Sequence, residues 1–125
     1  MLTWVRVLFL TAGLMGAAGV AASAVAAHLA GGAALTTAAQ FLMIHAAAIA
    51  GLGALALQAL RGRIALLVGA SAILIGTLLF SGDLSLRALT GIKLLWGTAP
   101  IGGMVMIAGW LMATAGGVGL TLRPR

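Results

Sequence analysis

Cysteine is absent from this 125-residue chain, and acid nearly so: one Asp stands against seven Lys and Arg, for a net charge of +6. The first absence excludes disulfides and thiolate metal sites. The second removes the carboxylate pair on which much hydrolytic chemistry depends, and no Ser or Thr has a recognisable base motif beside it. Charged residues make up only 6% of the chain against 63% hydrophobic. So little polar sequence cannot clothe a soluble core. The positive balance would raise the question of nucleic acid in a soluble protein. Here the cations stand singly or in pairs at the ends of apolar runs, where they anchor helices at headgroups. Nucleic acid is not an expected partner; membrane lipid is.

What remains is four apolar stretches, at about 5–27, 41–60, 64–80 and 101–120. Each is long enough to cross a hydrocarbon layer roughly 30 Å thick. The expected fold is all-α: an integral membrane four-helix bundle, formed as one membrane domain over 1–125. Arg6 and the Ala22-Ser23-Ala24 run resemble a signal peptide and its cleavage site, but the apolar run is too long, so the segment is expected to be retained as a span. Gly31-Gly32 breaks the run after helix 1, and Arg61-Gly62-Arg63 makes a tight turn between helices 2 and 3.

The third connection, Ser81 to Pro100, is too apolar for a free loop. Asp83, Arg87 and Thr90 fall on one helical face with Leu84, Ala88, Leu89, Ile92, Leu95 and Trp96 around the remainder. An amphipathic interfacial helix between helices 3 and 4 is predicted there. Asp83 would sit in its first turn, favoured by the helix dipole, and within reach of an ion pair with Arg87. Four spans put Arg6, Arg61, Arg63, Arg123 and Arg125 on one side, against Arg87 and Lys93 on the other. The positive-inside bias then places both termini in the cytoplasm.

Helices in lipid associate through close approach at small residues. Nineteen glycines supply them. Gly13, Gly16, Ala17, Ala24 and Ala27 form such a stripe on helix 1, and Gly109, Ala113, Gly116 and Gly117 on helix 4. These stripes serve packing within the bundle, or a face for a partner protein or second copy.

Candidate chemistry collects toward the side opposite the termini: His28, Gln40, His45, Ser81, Asp83, Arg87 and Lys93. An ionisable group at membrane depth is a functional hypothesis by default, and His45 is expected about one turn inside the apolar region, roughly 6 Å. Two histidines and a carboxylate, His28, His45 and Asp83, admit a metal, since imidazole and carboxylate suit iron or zinc. The same histidines could ligate a haem. Their spacing is not diagnostic, and a histidine can equally hydrogen-bond across helices and fix packing. Lys93 reads as a snorkelling interface lysine rather than a nucleophile. Trp4 and Trp96 fit interfacial anchoring, whereas Trp110 sits mid-span, where it marks a helix contact.

Several segments resemble a known family. Ala27-His28, Thr37-Ala38-Ala39-Gln40-Phe41 with His45-Ala46, Phe80-Ser81-Gly82 with Ala88-Leu89-Thr90-Gly91, Thr98-Ala99-Pro100-Ile101-Gly102-Gly103 and Ala108-Gly109-Trp110 look like successive signatures of domain-of-unknown-function family 423. The resemblance implies a four-helix bacterial inner-membrane protein, with distant relatives in eukaryotes and no established activity. Leu42 stands where a second glutamine is common in the family, Asp83 where a small or hydroxyl residue is usual, and Thr-Ala-Pro replaces a shorter Thr-Pro step. These departures weaken a shared ligand site at Gln40 and make Asp83 a feature of this chain.

Two readings of function follow. The leading one is a non-catalytic accessory or structural subunit packing against a larger membrane complex or against itself. The alternative is small-ligand binding, of a metal, haem, quinone or proton, at the polar cluster His28, Gln40, His45, Asp83, Arg87 and Lys93.

Overall fold

The computed structural model describes residues 1–122, so Arg123 and Arg125 of the charge count lie outside the described residues. Four helices follow in order: α1 (Leu2–His28), α2 (Gly32–Gln58), α3 (Arg63–Thr90) and α4 (Thr98–Thr121). All four are long and apolar enough to cross a membrane. The longest, α3, has 28 residues, or about 42 Å at 1.5 Å per residue. That exceeds the roughly 30 Å of hydrocarbon, so helix ends reach headgroup depth.

The elements differ from expectation at two connections. The predicted interfacial helix does not form as a separate element: α3 runs unbroken through Ser81, Asp83 and Arg87 to Thr90. Gly82 lowers helix propensity by about 1 kcal/mol but keeps helical geometry, and the first left-handed residue is Gly91, with φ 73°. The polar residues therefore lie in the last turns of α3 itself. Similarly, α2 starts at Gly32, leaving only residues 29–31 between the first two helices. Gly31, with φ 94°, makes the turn. The Ala-rich segment after it is helical, and the Thr36 and Thr37 hydroxyls donate to the carbonyls of Gly32 and Ala33.

Consecutive helices pack as neighbours, α1 on α2, α2 on α3 and α3 on α4, with a lighter contact between α1 and α3. Trp4 of α1 reaches α3 by donating its indole N–H to the Ser71 hydroxyl at 2.9 Å. At the turn from α2 into α3, the Arg63 guanidinium donates to the Ala56 carbonyl at 2.9 Å, satisfying one of α2's free terminal acceptors.

The tightest contact joins α3 to α4, and glycine makes it possible. A Cβ at Gly69 would lie 2.8 Å from both the Ala113 nitrogen and the Gly109 oxygen; one at Gly109 would lie 2.8 Å from the Ile73 nitrogen. A Cβ at Gly76 would meet the Gly102 oxygen at 2.6 Å, and one at Gly116 the Leu66 nitrogen at 2.9 Å. Each obstacle is backbone, which cannot rotate away. Gly62 at the turn opposes Gly116 in the same manner. Gly62, Gly69 and Gly76 thus pair antiparallel with Gly116, Gly109 and Gly102, every seventh residue on both helices. The buried residues of α4, Ala99, Gly102, Met106, Gly109, Ala113 and Gly116, alternate by three and four. That is the heptad pattern of a left-handed helix pair.

Not every small residue serves this purpose. On helix 1, Gly19 approaches Met43, Leu42 and the Ala39 carbonyl closely, but a Cβ on Gly13 would meet nothing within 4 Å. On helix 4, Gly117 and Gly103 are equally open. Two otherwise identical substitutions should therefore part company. Gly109→Ala is expected to destabilise the bundle by about 1–3 kcal/mol through overpacking, whereas Gly103→Ala leaves it unchanged or firmer. Reversible unfolding in mixed micelles or bicelles measures both; equal effects would remove the α3–α4 glycine contact from the account.

Candidate functional site

The polar residues singled out in the sequence separate into three environments. His28, at the end of α1, and Gln40, in α2, are exposed. His45 is buried in the bundle, and Asp83 lies in the last turns of α3 with no exposed surface. Lys93 stands on the connection between α3 and α4, where residues 91–97 are all exposed. The metal set His28, His45 and Asp83 does not converge: among the described residues no group of three His or acidic side chains could hold an ion.

His45 lies midway along α2 rather than in its first turns, because α2 begins well before Phe41. It is about 20 Å from the helix start at 1.5 Å per residue. Both ring nitrogens have partners. Nδ1 lies 2.8 Å from the Phe41 carbonyl one turn back, and Nε2 faces the Trp110 indole nitrogen of α4 at 3.3 Å. An indole N–H can only donate. Nε2 must then carry the lone pair and Nδ1 the proton, which it donates to Phe41 O. The arrangement accepts a neutral imidazole and holds it in one tautomer.

Aromatic rings close around this link. Phe41 stacks on His45 with centroids 5.4 Å apart, and Phe80 of α3 meets Phe41 at 4.7 Å. Trp110 tilts against His45 at 6.1 Å. Side chains from α2, α3 and α4 therefore meet at one level of the bundle, and the hydrogen bond ties α4 to α2 across their shared neighbour α3. A ligand could reach a His45 nitrogen only by displacing Trp110 or Phe41 O.

Asp83 is also fully engaged. Its Oδ2 accepts from an Arg87 Nη at 2.6 Å, the expected ion pair. Oδ1 accepts the backbone N–H of Leu94 at 3.1 Å. The predicted first-turn role is reversed: an acid near the C-terminal end of α3 opposes the helix dipole. Arg87, one turn on, offsets it, and the Leu94 bond draws the connecting loop back onto the helix. Asp83 also stands seven residues beyond Gly76, on the glycine seam at the point where α4 gives way to loop. Ser81 is buried with no hydrogen-bond partner for its hydroxyl, and Thr77 answers the same burial by donating to the Ile73 carbonyl at 2.7 Å, with Met106 Sδ at 3.3 Å.

The site thus contains a histidine with both ring nitrogens engaged and a carboxylate bonded through both oxygens. Its chemistry is hydrogen bonding that fixes helices and a loop. Trp110→Phe keeps the ring and removes only the N–H, so it is expected to cost about 0.6–1.7 kcal/mol, read as a lowered unfolding free energy. His45→Leu in the Trp110→Phe background should then cost less than in the wild type; strict additivity would show that the two side chains are not coupled.

The family described as "Protein of unknown function (DUF423)" has a model that matches residues 12–103. The match contains His45, Asp83, Arg87 and Lys93 but stops before Trp110. A UPF0382 membrane protein of Staphylococcus haemolyticus is 53% identical over 38 residues, which are 30% of this chain and 31% of the relative. Another UPF0382 membrane protein, from Staphylococcus saprophyticus, is 46% identical over 41 residues, 33% of this chain and 34% of the relative. The aligned stretches span about a third of these curated relatives. No solved structure matches. With the family model covering well over half its length and four helices apolar enough to cross a membrane, the chain belongs to this membrane-protein family of unknown function.

Proposed function

We propose that the chain is a non-catalytic subunit of the bacterial cytoplasmic membrane, packing against a larger membrane protein or against copies of itself. The observation that carries this reading is the second face of α4. Gly103 and Gly117 are open, with nothing within 4 Å of a Cβ on either. Ile107, Trp110 and Thr114 continue between them by steps of four and three, and all three are exposed. Glycine costs a helix about 1 kcal/mol relative to Ala, and these two offset none of that by contacts within the bundle. An approaching helix is what would use them.

Extraction of the tagged protein into lipid-containing polymer, without detergent, followed by native mass measurement, is expected to give an assembly of fixed stoichiometry. Gly103→Leu with Gly117→Leu should release the chain as a folded single copy. A lone wild-type chain in the polymer would contradict the proposal.

Orientation belongs to the same proposal, with both termini cytoplasmic. Arg6, Arg61 and Arg63 lie at the end of the bundle holding the start of α1 and the α2–α3 turn, and Arg87 and Lys93 at the other. Lys and Arg favour the cytoplasmic side. The absence of native cysteine makes the test direct. Leu95→Cys should react with a membrane-impermeant maleimide on intact cells, and Leu60→Cys only after permeabilisation; the reverse pattern would invert the topology.

A further inference from the structure

The geometry points to a binding site for one anionic phospholipid headgroup between the end of α3 and the start of α4, held by Arg87 and Lys93. A cavity of about 400 Å³ opens there, lined by Phe80, Arg87, Lys93, Trp96, Gly97 and Pro100 among others. This inference does not rest on the subunit reading above.

Charge comes first. Arg87 uses one Nη nitrogen on Asp83, and a guanidinium has further N–H groups to offer. Its side chain is 43% exposed while Asp83 behind it is 0% exposed, so the cation rather than the acid faces a ligand. Lys93 makes no hydrogen bond or ion pair among the described residues. Its ammonium is the available charge of the site. The start of α4 lies on the same cavity through Gly97, Ala99 and Pro100, and its positive dipole end adds to the same sign.

The site is also held in shape. Gly91 and Gly97, with φ 73° and 95°, let the chain leave α3 and enter α4, and the Leu94 N–H bond to Asp83 clamps the segment between them. Lys93 is thereby placed beside Arg87 by the backbone.

Depth then selects the source of the anion. Trp96 is 99% exposed and Leu95 is 73% exposed, an unfavourable arrangement in water and a normal one at headgroup level. Ile101, on the first turns of α4, continues the apolar surface toward the hydrocarbon. A phosphodiester between Lys93 and Arg87 would carry its acyl chains along that surface. Free phosphate would satisfy the two cations and leave the apolar surface unused.

The test uses the full chain in nanodiscs of mixed phosphatidylglycerol and phosphatidylcholine, with the lipid retained on release counted by native mass spectrometry. The wild type is expected to retain phosphatidylglycerol in preference to phosphatidylcholine. Lys93→Gln should lower that preference roughly fivefold, Lys93→Arg should restore it, and Arg6→Gln at the opposite end should not change it. Unchanged circular dichroism would confirm that Lys93→Gln folds, as expected for a side chain without a partner. Undiminished preference in Lys93→Gln, an equal loss in Arg6→Gln, or displacement of the lipid by millimolar inorganic phosphate would each overturn the assignment.

Discussion

A helix inside hydrocarbon gains nothing by turning its leucines toward a neighbour, because lipid tails are equally apolar. The backbone must come close instead, and in this protein it does so where Gly62, Gly69 and Gly76 meet Gly116, Gly109 and Gly102. With no Cβ between them, peptide groups of α3 and α4 approach to distances at which a methyl would touch main-chain nitrogen and oxygen. Dispersion contacts rise steeply at such separations. The seven-residue recurrence keeps the contact in phase along the pair, and α3, held between α2 and α4, becomes the central element of the fold.

Polar side chains complete what the glycines begin. The His45 to Trp110 hydrogen bond joins the two helices that flank α3, midway along α2. Asp83 continues the glycine register past the point where α4 ends, and replaces backbone contact with a bond to the Leu94 amide. Both groups have the appearance of a functional cluster in the sequence. In the folded chain His45 and Asp83 are engaged by protein partners, and donors remain to spare on Lys93 and on the Arg87 guanidinium.

Span number and chemical class were legible because long apolar runs admit one solution in a bilayer. The Asp83 to Arg87 ion pair was legible from its spacing, and Trp110 from its mid-span position. The end of α3 was not, because an amphipathic stretch reads the same whether it lies along the interface or continues a span into the headgroups. His45 was placed too near the start of its helix for a related reason: the helix-favouring alanines before Phe41 were assigned to a connection. The glycines of α3 escaped notice because their regularity appears only when paired with those of α4, a relation between helices that no single helix displays. Gly13 and Gly117, assigned to packing stripes, prove open.

The central claim is the antiparallel register of those glycines, and solid-state NMR of the protein in lipid bilayers, with carbon-13 glycine, reports it directly. Through-space cross-peaks are expected between Gly69 and Gly109 and between Gly76 and Gly102, with none linking α3 to Gly103 or Gly117. Cross-peaks displaced by one helical turn, or missing between α3 and α4, would contradict the architecture on which the rest depends.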